Sequence, residues 1–340
     1  MTIPQAETPG RHMAAEIAQS PGVFAAACTG DYTDAIEAIG ALDCRAIYTV
    51  ARGSSDAAAN VLSYEFMREL GKPMTSLPPS IFSVGAGVAM VDTVSLIVSQ
   101  SGASDDLVRT AQGARRAGGR VVSLVNQSGS AVEAASDLSI QMGAGPELAV
   151  PATKSVIGSI AAGMALLGAL KPTYKGRAAL SGAAMASLEG KSHPQAATLT
   201  SALLRADHVY VVGRDTGFGA AQEVALKLKE CCAIHAEAYS SSEVLHGPLQ
   251  LVTNPLLIIM LDTGQPDIQA SLDTAEARFR DAGGTVIRLR PSDTGAVDFT
   301  PAAAAAYLLY LMYPIILNVA LAFGLDPDSP ETLSKVTQTT

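Results

Sequence analysis

The sequence predicts an α/β protein with two similar domains, each a doubly wound, mainly parallel sheet with helices on both faces. The first observation is that short apolar runs alternate with helical stretches, which is typical of right-handed βαβ units. The second is an internal repeat with offsets of 162 to 165 residues, in which segments 47–52, 93–98 and 117–122 resemble segments 209–214, 255–260 and 282–287.

Composition excludes several classes of protein. Of 340 residues, 48% are hydrophobic and 16% charged, so the chain can fill two cores and is not disordered. The net charge of −9 argues against a broad nucleic-acid-binding surface. An anionic ligand remains compatible with this charge, because backbone N–H groups at a helix start can hold phosphate. The cysteines, Cys28, Cys44, Cys231 and Cys232, lack metal or redox spacing and are predicted to be reduced and buried.

The elements follow in order along the chain. The runs expected to form strands buried on both faces are residues 95–98, 121–125, 209–212 and 256–261. Residues 105–117 and 221–230 are expected to be helical. The predicted organisation is an N-terminal arm (1–30), a first domain (31–172), a second domain (195–326) and a tail that closes the site (327–340). A linker is expected over 171–195, because Pro172 interrupts a helix at its start.

One segment, residues 299–323, carries no charge and is long enough to span a bilayer. Pro314 and Asn318 interrupt it, and the flanking Asp298 and Asp326 are not the basic anchors expected beside a span. We therefore expect a buried core helix, with a membrane span as the alternative. Residues 1–11 lack the pattern of a signal peptide, so a cytoplasmic location is expected.

Two serine-rich loops, residues 52–55 and 99–104, each follow a predicted strand and precede a helix. Free N–H groups, the helix dipole and hydroxyl donors at such positions favour anions. The expected phosphate-binding residues are Ser54, Ser55, Ser99, Gln100, Ser101 and Ser104. Ordinary N-capping by serine is the alternative. The corresponding loop of the second half, residues 261–264, has Leu and Asp in place of Ser99 and Gln100, so we expect one phosphate site, in the first domain.

Glu223, Lys227 and Glu230 fall within roughly 60° of arc on a predicted helix that is otherwise mostly apolar. They are candidates for acid–base chemistry, although a solvent-facing salt-bridged stripe has the same pattern. His246 lies in a His-Gly-Pro turn that could reach a cleft or could be structural. Lys335 lies near the end of the chain, where lysines are commonly solvated. No metal or organic cofactor is expected, because no His, Cys or acidic residues have ligand spacing.

Together these motifs resemble the isomerase half of glucosamine-6-phosphate synthase, which consists of tandem sugar-isomerase (SIS) domains, over nearly the whole chain. The segments that carry the similarity are 99–102, 147–154, 225–230, 235–239 and the tail around Lys335. The resemblance implies that Glu230, His246, Lys335 and Lys227 are catalytic. It also implies that Val150, Glu223 and Ser334 join the serine loops in binding the substrate.

Some residues depart from the synthase pattern: Ala103 replaces an acid of the phosphate loop, and Leu245 replaces a basic residue. Segments 52–56, 232–238 and 335–339 more closely resemble the type II glucosamine-6-phosphate deaminases, which are stand-alone tandem SIS proteins. We therefore expect deamination of glucosamine 6-phosphate, without a glutaminase domain, by a homodimer with its sites at the interface. The alternatives are a fructosamine-6-phosphate deglycase, another SIS sugar-phosphate isomerase, or a non-catalytic sugar-phosphate sensor.

Overall fold

The computed structural model describes residues 8–40 and 43–335. The N-terminal half contains strands β1 (Ala46–Val50), β2 (Met74–Ser76), β3 (Thr93–Ser99), β4 (Arg120–Val125) and β5 (Leu138–Gln141). Its helices are α1 (Arg11–Ala27), α2 (Thr33–Ala38), α3 (Gly53–Leu70), α4 (Ser80–Ser83), α5 (Asp105–Arg116), α6 (Ala131–Ala135), α7 (Lys154–Leu170) and α8 (Pro172–Ser187). The first residues of the predicted arm (1–7) and the last of the predicted tail (336–340) lie outside the described residues.

The C-terminal half repeats the alternation. Its strands are β6 (His208–Gly213), β7 (His235–Ser240), β8 (Leu257–Leu261) and β9 (Thr285–Leu289). Its helices are α9 (Ala196–Leu203), α10 (Thr216–Cys232), α11 (Gln269–Asp281) and α12 (Pro301–Ala322), with short 3₁₀ turns at Glu243–His246, Pro248–Thr253, Pro266–Ile268 and Pro291–Thr294.

The two sheets confirm the predicted fold class. The first has the order β2-β1-β3-β4-β5 and the second β7-β6-β8-β9, and all recorded pairings are parallel. Strands β1, β3 and β4 hold the same positions in their sheet as β6, β8 and β9 in theirs, which is the repeat seen in the sequence. The order reverses beside β1 in the first sheet, and this switch point is where open α/β sheets bind ligands.

The core has three layers. The central layer lies between the two sheets and contains apolar side chains of α1, α3, α7, α10 and α12. A second cluster covers the outer face of the first sheet, where α5 and α6 pack, and a third covers the outer face of the second sheet beneath α11. The strands are therefore buried on both faces, which explains why they are continuous apolar runs in the sequence. All four cysteines are buried and unpaired.

Helix α8 occupies most of the segment expected to be a linker. Pro172 ends α7 at Leu170, as predicted, but it also begins the next helix, because proline fits the first helical turn, where its missing N–H is not needed. The side chains of Tyr174, Ala178 and Met185 are buried, and α8 packs against α1 and α7. The connection between the domains is therefore a packed helix, followed by residues 188–195.

Helix α12 is, in the described part of the chain, the one helix long and apolar enough to cross a membrane. It lies in the central layer against α10, α1, α7 and α9, and 83% of its most apolar window is buried inside the protein. The protein's own α/β core therefore covers this apolar surface, as expected for a buried core helix.

Glu65 of α3 is fully buried where α3, α8 and α12 meet. Its Oε1 accepts a hydrogen bond of 2.7 Å from the Tyr174 hydroxyl, and its Oε2 accepts one of 3.2 Å from the Ala302 N–H at the start of α12. Burial raises the pKa of Glu65 to about 7, and the two hydrogen bonds only partly offset that effect. The central layer therefore contains a carboxyl group that prefers to be neutral.

Glu65 is expected to lower the stability of the protein as pH rises. Its neutral form contributes fully below its ordinary pKa of 4.5, and the contribution is lost by about pH 7, because the unfolded chain ionises first. Between these pH values, the free energy of unfolding should fall by about 3 kcal/mol more in the wild type than in Glu65→Gln. Urea denaturation at several pH values measures this difference, and parallel profiles for the two proteins would contradict it.

Candidate functional site

A pocket of about 230 Å³ opens at the carboxyl ends of β1 and β3, at the switch point of the first sheet. It is lined by Arg52, Ser54, Ser55, Val98, Ser99, Gln100, Ser101, Ser104, Leu107, Val150, Ala152, Glu230, Leu333, Ser334 and Lys335. The pocket therefore brings together the six predicted phosphate-binding residues, one predicted catalytic carboxylate from the second domain, and the predicted tail lysine.

The serine loops do not cap their helices. Arg52 is the N-cap of α3 and Ser104 that of α5, and neither side chain bonds to the helix. Ser99 Oγ accepts a 3.0 Å hydrogen bond from the Gly102 N–H, and Ser101 Oγ accepts one of 3.3 Å from the Ala103 N–H. The hydroxyl hydrogens of these serines remain able to donate. Two helix starts and several hydroxyl groups thus face the same pocket, which favours the anion-binding interpretation over simple capping.

Gly102 gives the serine loop of residues 99–104 its shape. Its φ of +60° lies in the left-handed region, and a Cβ atom there would lie 2.2 Å from Ser130 Oγ at the start of α6. Gly129 also has a positive φ, +74°, but a Cβ there would meet no atom within 4 Å. An alanine would therefore have an unfavourable backbone conformation at either position. Only at position 102, inside the loop, would its Cβ atom also clash with a neighbour.

Gly102→Ala is expected to weaken binding of inorganic phosphate or fructose 6-phosphate at least about fivefold, because the added methyl group would clash with Ser130 and displace the loop at a cost of about 1–3 kcal/mol. Gly129→Ala is the matched control and should bind these ligands nearly as the wild type does. Isothermal titration calorimetry measures both affinities. Equal affinities for the two variants would show that the loop is not the anion site.

Acidic residues at the start of α5 are neutralised by arginines. Arg52 Nε and Nη2 lie 3.0 and 2.9 Å from Asp106 Oδ2, and Arg109 Nε lies 2.7 Å from Asp105 Oδ2. Arg52 lies in the first serine-rich loop, and the sequence assigned it no role. The structure places it on the pocket wall with its side chain half exposed, where its positive charge offsets the Asp106 carboxylate, which would otherwise repel a phosphate.

In the second domain the corresponding loop carries its own carboxylate. Asp262, directly after β8, is fully buried and accepts hydrogen bonds from Arg288 Nε at 3.0 Å and Arg290 Nε at 2.8 Å. It also accepts bonds from the Gly264 N–H and the Gln269 side chain. This anionic group is therefore already saturated with donors, which explains physically why the repeat does not duplicate the first domain's pocket.

Helix α10 supplies the charged stripe predicted from the sequence, but the stripe is buried. Lys227 is completely inaccessible to solvent, and its Nζ lies 2.6 Å from Glu230 Oε2, 2.8 Å from Ser54 Oγ and 3.3 Å from Glu223 Oε1. The solvent-facing alternative is therefore wrong. Lys227 joins helix α10 to the serine loop of the first domain, because it bonds to Glu230 and to Ser54.

Glu223 lies behind Lys227 and does not line the pocket. Burial raises the pKa of Glu223 to about 7, although the neighbouring ammonium of Lys227 opposes this shift. Burial alone would lower the pKa of Lys227, but the carboxylates of Glu223 and Glu230 outweigh it and raise that pKa. The hydroxyl of Tyr313, from α12, donates a 3.2 Å hydrogen bond to Glu223 Oε1. Direct substrate contact by Glu223, implied by the resemblance, is thus absent from this arrangement.

The tail reaches the pocket through residues 333–335. Lys335 Nζ donates a 2.6 Å hydrogen bond to the carbonyl of Ala149 and lies 3.3 Å from Glu147 Oε2. Val150 and Ser334 line the pocket beside it. The interpretation of Lys335 as a fully solvated terminal lysine is wrong, because its side chain is only 26% exposed. Glu147 begins the segment 147–154 that carries part of the family resemblance, but its contact with Lys335 could not be predicted from the sequence spacing.

Two of the predicted catalytic residues, Lys227 and His246, do not line the pocket. Lys227 is buried beside it and bonds to Glu230 and Ser54. His246 lies elsewhere. It ends the 3₁₀ turn Glu243–His246, is exposed, and is not among the residues that line the pocket. Within one chain, no contact joins it to Glu230 in the described structure. As for metals, the described residues contain no group of three or more His, Cys, Asp or Glu side chains placed to bind an ion.

Comparison with known proteins identifies the family. Residues 42–169 and 202–294 match the SIS domain family, so the domain is present twice and covers more than half of the chain. Glutamine–fructose-6-phosphate aminotransferase (isomerizing) of Aeropyrum pernix is 30% identical in an alignment of 295 positions that covers 78% of this chain and 46% of that protein. The chain spans about half the length of the curated relatives it matches.

Solved structures agree with this assignment. A crystal structure of a candidate phosphosugar isomerase from Silicibacter pomeroyi is 30% identical, with a TM-score of 0.82 over 93% of this chain and 99% of that one. Glucosamine-6-phosphate deaminase from Thermotoga maritima shares the fold, with a TM-score of 0.73 at 19% identity over 96% of this chain and all of that one. The chain therefore belongs to the SIS domain family, and its relatives are phosphosugar isomerases and aminotransferases of sugar phosphates.

Proposed function

We propose that the protein is a glucosamine-6-phosphate deaminase, which converts glucosamine 6-phosphate and water to fructose 6-phosphate and ammonium. The observation that carries this proposal is a single pocket that joins an anion-binding loop of one domain to Glu230 of the other and Lys335 of the tail. This combination provides a place for a phosphate and, next to it, a carboxylate and an amine that can act on a sugar. The cytoplasmic location remains a prediction.

The phosphate group of the substrate would lie between the starts of α3 and α5. Ser54, Ser55, Ser99, Gln100, Ser101 and Ser104 would donate hydrogen bonds to it. Arg52, paired with Asp106, lines the wall beside them. This end of the pocket fixes the substrate, so the sugar carbons extend toward Glu230 and the tail.

Proton transfer between the C2 and C1 carbons is assigned to Glu230. Its carboxylate lines the pocket and is partly exposed there, while Oε2 bonds to the buried ammonium of Lys227. That ion pair orients Glu230 as a general base. Glu230 takes the proton from C2 of the open-chain amino aldehyde and returns it to C1. The resulting C2 imine is hydrolysed by water, which releases ammonia and leaves the ketose.

Ring opening requires a second proton carrier near the ring oxygen, and His246 is assigned this role as a residue of the partner subunit. The resemblance to the SIS enzymes supports this assignment, and His246 is available for it because it is exposed on its own chain and lies outside that chain's pocket. The proposal thus requires a homodimer whose interface completes each site. Lys335 would bind the open keto sugar or close the pocket over it.

The closest alternative is a fructosamine-6-phosphate deglycase, which would use the same phosphate loop and the same acid–base pair. Another SIS sugar-phosphate isomerase would share them as well. A non-catalytic sugar-phosphate sensor is less consistent with the site, because a buried lysine held between two carboxylates adds nothing to phosphate binding that serines alone would not provide.

The test is ammonium release by the purified protein from glucosamine 6-phosphate, with fructosyl-lysine 6-phosphate assayed in parallel. Ammonium and fructose 6-phosphate that appear in equal amounts from the first substrate would establish the deaminase. Turnover of the second substrate alone would keep the site and change the function to deglycation. No turnover of either, together with phosphate-ester binding, would favour the sensor.

A further inference from the structure

Glu147 is a buried carboxylate that the proposed reaction does not use. It lies in the loop before α7, and its side chain has no exposed surface. Its Oε1 accepts hydrogen bonds from the N–H groups of Thr153 at 3.1 Å and Ser155 at 3.0 Å, and its Oε2 accepts one of 2.6 Å from Ser155 Oγ. These donors belong to the first turn of α7, where the helix dipole also favours a negative charge. The carboxylate is therefore fixed in position.

The fourth partner of this carboxylate comes from the far end of the chain. Lys335 Nζ lies 3.3 Å from Glu147 Oε2, while the Ala149 carbonyl accepts its 2.6 Å hydrogen bond. Lys335 also lines the substrate pocket, whereas Glu147 does not. The ammonium thus stands between a fixed anion and the space that the substrate would occupy.

A second buried carboxylate orients the backbone at this point. Glu16 of α1 accepts hydrogen bonds through Oε1 from the N–H groups of Leu148 and Ala149. Its pKa is raised by burial, with a further contribution from Glu147, while Lys335 acts in the opposite direction. Glu16 thus fixes the two peptide groups that precede the Ala149 carbonyl. The peptide group that contains this carbonyl is held by the Val150 N–H, which donates a 3.1 Å hydrogen bond to the carbonyl of Asp328.

From this geometry we propose that Glu147 is the positioning residue of Lys335, and that it holds the tail ammonium against the pocket wall and keeps the tail closed over the substrate. The Ala149 carbonyl, whose peptide group is held by the Val150 N–H bond to Asp328, provides the second contact. Glu147 touches no substrate and acts only through Lys335. The effect on catalysis rests on the function proposed above, but the contact itself can be tested without it.

Glu147→Gln tests the contact between Glu147 and Lys335 while it preserves the hydrogen bonds that anchor the start of α7. A glutamine oxygen can still accept the N–H groups of Thr153 and Ser155, so the start of α7 keeps its anchor. The glutamine NH₂ group is a donor, and it turns a donor rather than an acceptor toward Lys335. Glu331→Gln is the matched control, because Glu331 is an exposed carboxylate of the same tail.

The first readout is the rate at which trace acetic anhydride acetylates Lys335, measured by peptide mass spectrometry relative to the exposed Lys191 of the same molecule. Glu147→Gln should raise this ratio at least threefold, and Glu331→Gln should leave it within a factor of two. An unchanged ratio in Glu147→Gln overturns the proposal whatever the enzyme turns out to catalyse. If the ratio rises but the protein does not deaminate glucosamine 6-phosphate, the positioning of Lys335 by Glu147 is supported and only the proposed reaction is rejected.

The second readout is kinetic. Glu147→Gln should raise KM for the substrate severalfold in the wild-type background and change it less than twofold in a Lys335→Met background, because the residue acts through Lys335. The same loss in both backgrounds would mean that Glu147 supports the fold alone, and would overturn the positioning role.

Discussion

Glu230→Gln is expected to lower the turnover of glucosamine 6-phosphate about 10³-fold, which is typical for the loss of a positioned general base. The amide retains the shape of the side chain and can still accept a hydrogen bond from Lys227, but it cannot accept a proton from carbon. The phosphate loop lies in the other domain and does not depend on this charge. Binding of fructose 6-phosphate should therefore remain within a few fold of the wild type.

Two measurements decide this prediction: steady-state ammonium release and calorimetric titration with fructose 6-phosphate. Glu189→Gln, at an exposed position after α8, is the control for the loss of a negative charge. Near-wild-type turnover in Glu230→Gln would remove Glu230 from the mechanism. Loss of binding together with turnover would instead assign Glu230 to substrate affinity.

Lys227→Met should cost about 3–5 kcal/mol of unfolding free energy near pH 8, because it leaves two carboxylates facing each other without their shared cation. Both Glu223 and Glu230 bond to this ammonium, and neither Lys227 nor Glu223 has exposed surface. The same change should abolish turnover, since it also removes the bond to Ser54.

The loss should be smaller at pH 5 than at pH 8. Without Lys227, the pKa of Glu223 rises above its present value of about 7, so the folded protein keeps this group neutral, while the unfolded chain ionises it as pH increases. Lys229→Met, at an exposed position of the same helix, should change stability by less than about 0.5 kcal/mol. A loss in Lys227→Met that is below 1 kcal/mol or independent of pH contradicts the shared-cation picture.

Much of this fold could be predicted because its strands lie in sheets covered on both sides. Apolar runs such as the one in β8 are long enough to be read directly, and the repeat fixes the correspondence between the halves. The serine loops were equally visible, because each places hydroxyl groups at a helix start after a buried strand, but the sequence alone left N-capping as the alternative. The sequence pattern was sufficient to predict the structure wherever the interacting residues are close together along the chain.

Contacts between distant segments could not be predicted in the same way. A charged stripe on a helix has the same spacing of residues whether it faces water or, as for Lys227, a serine of another domain. Pro172 signals the end of a helix but not the start of α8, because the signal for both is the same residue. The link between Glu147 and Lys335 spans 188 residues and has no sequence period at all.

The start of α1 shows another such long-range dependence. Its first turn is capped by Asp328, whose Oδ2 and Oδ1 each accept a 2.8 Å hydrogen bond, from the N–H groups of His12 and Met13 respectively. Gly10 donates a further bond to Asp326. The cap and the helix it closes lie 316 residues apart. At 5–20 residues per second, a ribosome needs on the order of tens of seconds to make that stretch. During synthesis, the first N–H groups of α1 therefore bond to water until the second domain has been made and Asp328 has emerged.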